Sequence, residues 1–331
     1  MRKNKIKIII ISLVVLGIIV FLLSICFGSV HIPLIEVIKG IFKKSSDHNF
    51  NTIINTLRLP RVLGAAFAGS ALAVAGLLLQ TILNNDLCAP NIIGINSGAG
   101  LFVICGLCFF PLAYYMLPLL AFIGALITAL VVIYISKKSS KNYTANLILS
   151  GVAIGAVATA GISYLSVKYP DVLSSYTAFS VGGFNGLYLK DIIIPIIVIM
   201  ICFIITYFLS AKFSLFSLGD EMATSLGINV RLYRIIAVAL ASCLAGAAVA
   251  YAGLIGFVGL IVPHISKRII KGNLQKTFIA SIIIGAILVM LADLIARVLF
   301  APGEIPSGII LNIIGAPFFI FLLLRRNHKY D

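Results

Sequence analysis

An ionisable side chain inside an apolar run is where a chain of this kind would do chemistry. Of the ten acidic residues among 331, Glu36, Asp47, Asp86, Asp171, Asp191, Asp220, Glu221, Glu304 and Asp331 fall in loops or at the ends of apolar runs, which leaves Asp293 inside one. A carboxylate at that depth can hold a proton or a coupling ion. Arg297, four residues on, equally allows a plain ion pair on one helix face. The cysteines Cys26, Cys88, Cys105, Cys108, Cys202 and Cys243 have no recurrent spacing and read as small buried hydrophobes. Cys105 and Cys108 form a C-x-x-C without His or acidic neighbours, which is weak ground for a redox or metal role. His264 follows Pro263 without a ligand at metal spacing, so packing is its expected role and no metal is expected. No catalytic residue is assigned. A membrane lipid transferase would need a metal-binding acidic motif, and none occurs. The G-x-x-x-x-G-K-[ST] phosphate loop is also missing, so ATP is not expected to bind this chain.

The elements that position these residues follow from composition. The chain is 61% hydrophobic and 11% charged, with mean hydropathy +1.16, whereas soluble domains carry about 25% charged residues. Apolar runs at about 8–27, 61–82, 92–110, 114–135, 144–166, 191–210, 233–252, 254–269, 277–299 and 308–324 predict an all-α polytopic membrane protein. About ten transmembrane helices then form one bundle, a single transmembrane domain over 1–331. The first run follows MRKNKIK but is too long for a signal-peptide core, so it reads as a permanent span. The eighth contains Pro263 behind LIGFVG and reads as short, bent or incomplete.

The net charge of +15 is tested first against the positive-inside rule. With a cytoplasmic N-terminus, seventeen cations lie inside: Arg2, Lys3, Lys5, Lys7, Lys137, Lys138, Lys141, Lys212, Arg231, Arg234, Lys267, Arg268, Lys271, Lys276, Arg325, Arg326 and Lys329. Eight lie outside: Lys39, Lys43, Lys44, Arg58, Arg61, Lys168, Lys190 and Arg297. Both termini are therefore expected in the cytoplasm, and the charge needs no nucleic-acid partner. Segments of about 28–57 and 167–190 fall outside, the second carrying the VGGFNG turn signal.

Gly and Ala crowd the second, fifth and seventh runs, marking close-packed interior helices. ALAVAGLLL (71–79) and AVAYAGLIG (248–256) echo each other on runs of opposite direction. The echo fits an inverted repeat, and small-residue composition alone gives it too. The segment LFSLGDEMATSLGINVRLYR (215–234) is the longest polar, helix-compatible interruption in the second half of the chain. It falls in the cytoplasm, where it presents a surface either to a protein partner or to the lipid interface.

Four runs together are specific. RLPRVLGAAFAGSALAVAGLLLQTILNNDLCAPNIIGINSGAG (58–100), LGDEMATSLGINVRLYR (218–234), AGLIGFVGLIVPHISKR (252–268) and LADLIARVLFAPGEIPSGIILNIIGAPFFIFLLLRR (291–326) resemble the FecCD-type permeases of ABC importers. Those importers carry iron–siderophore complexes, haem or cobalamin. The likeness spans about residues 6–326. NNDLCAP departs from the family's N-P-L-A-x-P at Asp86 and Cys88 but keeps Pro90.

The resemblance implies a non-catalytic, multi-pass permease of the bacterial cell membrane, working by alternating access. It pairs with a second copy or a paralogue, two cytoplasmic ATPase subunits that hold ATP and Mg, and an extracellular binding protein. It places an ATPase-coupling segment at about 212–232, with Gly219, Glu221, Ala223 and Gly227 at motif positions. Met222 and Leu226, i,i+4, would supply a docking face. Arg58, Arg61 and Arg297 would receive acidic residues of the binding protein, or else snorkel to lipid phosphates. Tyr143, Thr144, Ala145 and Asn146 would close the cytoplasmic mouth, although such residues are also good helix caps. Gly151 and Gly155 would line or flex the path. The competing class is an ion-coupled secondary transporter using Asp293.

Overall fold

The second apolar run becomes the axis of the molecule because it has almost no side-chain volume. The computed structural model describes residues 2–28, 30–41, 48–136, 143–272, 274–301 and 303–327, which are helical with no strand among them. The helices are α1 (Arg2–Cys26), α2 (Leu34–Ile41), α3 (His48–Thr52), α4 (Leu59–Ile82), α5 (Ile95–Phe109), α6 (Leu117–Ser136) and α7 (Tyr143–Lys168). Then follow α8 (Leu173–Val181), α9 (Leu189–Ser214), α10 (Asp220–Ser225), α11 (Val230–Ala252), α12 (Val258–Ile269), α13 (Leu274–Val298) and α14 (Ser307–Asn327). Lys43, Lys44, Asp47, Lys137, Lys138, Lys141, Lys329 and Asp331, used above to place loops and orientation, lie outside the described residues.

Each of the ten apolar runs carries a helix, and seven helices among the described residues are long and apolar enough to cross a membrane. α5 has 15 residues and α12 has 12. At about 1.5 Å per residue, α12 falls well short of a hydrocarbon core of about 30 Å. It is cut off from α11 by Gly253 (φ +70°) and by Phe257, whose φ of +63° is unusual for a bulky side chain. The incomplete eighth run expected from LIGFVG is therefore a short helix entered through irregular backbone.

α4 packs against α9, α11, α12 and α13, and its close approaches need glycine. A Cβ on Gly69 would lie 2.1 Å from the carbonyl oxygen of Gly285, and one on Gly76 would lie 1.9 Å from that of Gly259. Between helices in lipid, such backbone approach supplies the association that hydrophobic burial supplies in water. The echoed stretches of α4 and α11 belong to the two most buried of the long spans.

The two long expected loops are largely folded. Residues 28–57 carry α2, α3 and the start of a π-helical turn (Ile53–Arg58) that runs into α4 through Pro60. Residues 167–190 carry a 3-10 turn (Pro170–Val172) and α8. α8 stops at Gly182 (φ +74°), where a Cβ on Gly308 would meet the Val181 carbonyl at 1.9 Å. α9 then starts with a reciprocal cap in which Asp191 accepts from the Tyr188 amide at 3.0 Å.

Candidate functional site

Polar groups gather at the two ends of α4. The first end is an ion cluster built by the start of α4, the end of α13 and the segment after it. Arg61 sits one turn into α4 and reaches α13, where Asp293 accepts from Nε at 3.0 and 3.1 Å and from Nη2 at 3.0 Å. Its Nη1 donates to Glu304 at 2.7 Å. Arg297 Nε lies 3.1 Å from Asp293 without hydrogen-bond alignment, and its Nη2 donates to the Ser24 carbonyl at 2.9 Å. Arg58 donates to the carbonyls of Ile25, Cys26 and Val30 and has no carboxylate partner among the described residues.

The anticipated i,i+4 contact of Asp293 and Arg297 is therefore present, but Arg61 is the main partner. Asp293 is 1% exposed. A buried ion pair with full hydrogen bonding is costly to break from one side, by about 3–5 kcal/mol. The expectation that Arg58, Arg61 and Arg297 are presented for docking meets a different geometry. They are 6%, 8% and 4% exposed, because carbonyls left free at the end of α1 and the carboxylates of α13 and Glu304 take up their donors. Three arginines face two carboxylates here, around a cavity of about 250 Å³ that also meets Asn185 and Gly186.

The second end contains α10. Gly219 (φ +93°) and Gly227 (φ +82°) bracket it in the left-handed region, with open space where a Cβ would go, so backbone conformation and not crowding calls for glycine. Ala223 is fully buried and pins the helix, whereas Glu221 is exposed and Met222 and Leu226 are each 55% exposed. Leu218 adds a further outward apolar side chain. α9 persists to Ser214 and α11 begins at Val230, capped by Asn229, so the connecting unit is narrower than the expected 212–232.

Two anchors hold this unit. Asn84, in the NNDLCAP turn, donates to the Phe216 carbonyl at 2.8 Å. Arg234 of α11 donates to both oxygens of Asp220 at 2.7 and 2.8 Å and lies 4.9 Å from the ring centre of Tyr143. Asp86, the departure from the family pattern, pairs with Lys267 at 2.7 Å, and Lys267 also donates to Gln80 at 3.0 Å. Burial, with Asp86 adding to it and Lys267 opposing, pushes the neighbouring Cys88 thiol up to about 11.

Tyr143, Thr144, Ala145 and Asn146 form the first turn of α7 at this same end, with Ala145 exposed. Gly151 and Gly155, expected to line the path, are buried instead. A Cβ on Gly151 would lie 2.8 Å from Ile93 Cα, so Gly151 lets α7 approach the residues before α5, whereas one on Gly155 would make an ordinary contact at 3.5 Å from Ser97 Oγ. The outward side of α7 carries Val152, Val157 and Thr159.

Among the described residues no group of His, Cys, Asp and Glu is placed to hold a metal, all six cysteines are free, and the His264 ring packs edge-on to Phe318. Sequence reasoning missed Arg234, Asp220, Asn84 and Glu304 as structural partners. A cation at the very start of an apolar run was the available signal for Arg234.

An apolar helical bundle with an outward-facing helix at one polar end and a closed ion cluster at the other is a polytopic membrane permease. The comparisons name its family. Residues 15–325 match the FecCD transport family model, and the chain belongs to that family. It is 38% identical over 324 residues to the Fe(3+)-citrate import system permease protein YfmE of Bacillus subtilis, covering 97% of this chain and 96% of that one. It is 36% identical over 332 residues to the heme-iron transport system permease protein IsdF of Staphylococcus aureus, covering 98% of each. A solved metal-chelate type ABC transporter in an inward-facing conformation superposes with TM-score 0.86 at 29% identity, over 96% of this chain and 99% of that one. The chain is thus an ABC permease, a transport component.

Proposed function

We propose that this chain forms, with a second permease copy or a paralogue, the membrane path of an importer that carries an iron chelate across a bacterial inner membrane. Separate ATPase subunits bind ATP and Mg and hydrolyse the nucleotide, and a binding protein delivers cargo on the opposite side. The α10-bearing end faces the cytoplasm, and α10 seats in the ATPase. The exposed side of α7 borders the path, and the first turn of α7 narrows its inner mouth.

One observation carries this reading. α10 holds itself in place through buried Ala223 while directing Leu218, Met222 and Leu226 outward. Apolar side chains grouped on a short helix outside the bundle are the pattern of helix-in-groove docking. At the other end Arg58 leaves one cation in excess of the carboxylates, so the docking proposal for the binding protein narrows to the charge around Arg58. An ion-coupled mechanism would have to use Asp293, and both of its oxygens are engaged by arginine.

The test is co-purification with the ATPase, together with ATP hydrolysis by the reconstituted importer, for wild type, Glu221→Arg and Leu226→Asp. Loss of assembly in the variants supports the reading. Unchanged assembly and hydrolysis in both overturns it.

A further inference from the structure

We propose that Arg234 is the joint through which movement of α10 reaches the first turn of α7. The inference rests on the reading of α10 as the ATPase seat and of that turn as the inner mouth.

Three contacts of different kinds meet on one guanidinium. Arg234 is 8% exposed and belongs to α11, one of the two most buried long spans, so its backbone is a fixed post. Its Nη2 holds both oxygens of Asp220, the first residue of α10. Its Cζ lies 4.9 Å from the Tyr143 ring centre and 5.8 Å from that of Phe216, which precedes α10. A displacement of α10 pulls on Asp220 and is passed by the planar group to Tyr143. Lysine retains the charge but has no planar group to lie against the Tyr143 and Phe216 rings while it holds Asp220.

Arg234 Nε, Tyr143 Oη and Asn146 Nδ2 are buried without a hydrogen-bond partner, so Arg234 is held to Tyr143 by its ring contact and not by a hydrogen bond. Tyr143 and Asn146 lie one turn apart on α7, and Tyr143 touches Arg234. A ring contact without a hydrogen bond lets the two groups slide over one another while they stay in touch.

The experiment uses the permease with its ATPase in lipid nanodiscs and a Cys placed at exposed Ala145. The readout is the rate of labelling by a charged maleimide, with and without ATP plus vanadate, so no cargo is needed. In the Arg234 background, nucleotide changes the rate by about tenfold. Arg234→Lys, Tyr143→Leu and Asp220→Asn, compared with the parent at equal amounts of bound ATPase, cut the labelling change to less than about twofold. Tyr143→Phe retains the ring and behaves as the parent. Asp220 is half-exposed, so its variant reports even where an Arg234 variant fails to fold.

A full nucleotide-driven change in Arg234→Lys and Asp220→Asn overturns the joint. Leu226→Asp separates the two ideas. If it leaves ATPase binding intact, the coupling reading itself fails, whereas normal loss of binding beside unaffected Arg234 variants removes the joint alone.

Discussion

The two ends of α4 hold similar numbers of charged residues and use them in opposite ways. At the Asp293 end the carboxylates and carbonyls envelop the arginines, and the cluster ties α1, α4 and α13 into one body. At the α10 end, Asp220 is half-exposed, and Met222 and Leu226 point outward. Charge in this bundle is closed in as ion pairs at one end, which gives rigidity, and left half-open at the other, which suits the movement proposed for Arg234. A buried ion pair resists change because losing either partner strands a charge. A pair with a half-exposed carboxylate loses less when it rearranges, because water can take up the freed charge.

Substitutions that separate the ends test this contrast. Asp293→Asn has the largest expected effect, a loss of about 3–5 kcal/mol, because Arg61 and Arg297 are left buried without their shared anion. Thermal unfolding of the detergent-solubilised protein checks it, and a midpoint equal to wild type removes the rigid-end account. Gly76→Val is expected to cost about 3 kcal/mol or somewhat less by forcing α4 away from α12. That strain is common to both ends, so it should lower the unfolding midpoint without selectively weakening ATPase binding.

Smaller effects sharpen the α10 side. Gly227→Ala places an L residue at φ +82° and should cost about 1 kcal/mol. The cost is local, so it should appear as faster amide exchange around α10 with little change in the unfolding midpoint. Asp86→Asn removes an exposed pair with Lys267 worth at most about 1 kcal/mol. The same change relieves the Cys88 thiol, whose value of about 11 is due first to burial and next to Asp86. Maleimide should react slowly with native Cys88 at pH 8, slightly faster in Asp86→Asn, and fully on unfolding. Rapid native labelling contradicts that placement.

What the sequence made legible was whatever depends on neighbours along the chain. The ten apolar runs become helices because length and apolarity suffice for that, and α12 is short where Gly and Pro interrupt. Met222 and Leu226 are exposed as their i,i+4 spacing and flanking glycines imply. What escaped depends on partners distant in sequence. Arg61 and Asp293 are 232 residues apart, and nothing in periodicity pairs them. Arginines near a membrane face read as surface residues, yet free carbonyls at the end of α1 drew Arg58 and Arg297 inside. Gly151 and Gly155 read as lining a path, but at Gly151 a missing Cβ serves close packing equally well, and only the position of the residues before α5 decides between them.

The central claim is that the α10 end alone meets the motor. Its most direct measurement is the affinity of the purified ATPase for wild-type permease, Leu226→Asp and Asp293→Asn in nanodiscs, each normalised to folded protein. The account predicts that Leu226→Asp weakens binding at least about tenfold, the size of one lost apolar anchor, while Asp293→Asn binds as wild type does. Equal binding by Leu226→Asp, or loss of binding confined to Asp293→Asn, would contradict it.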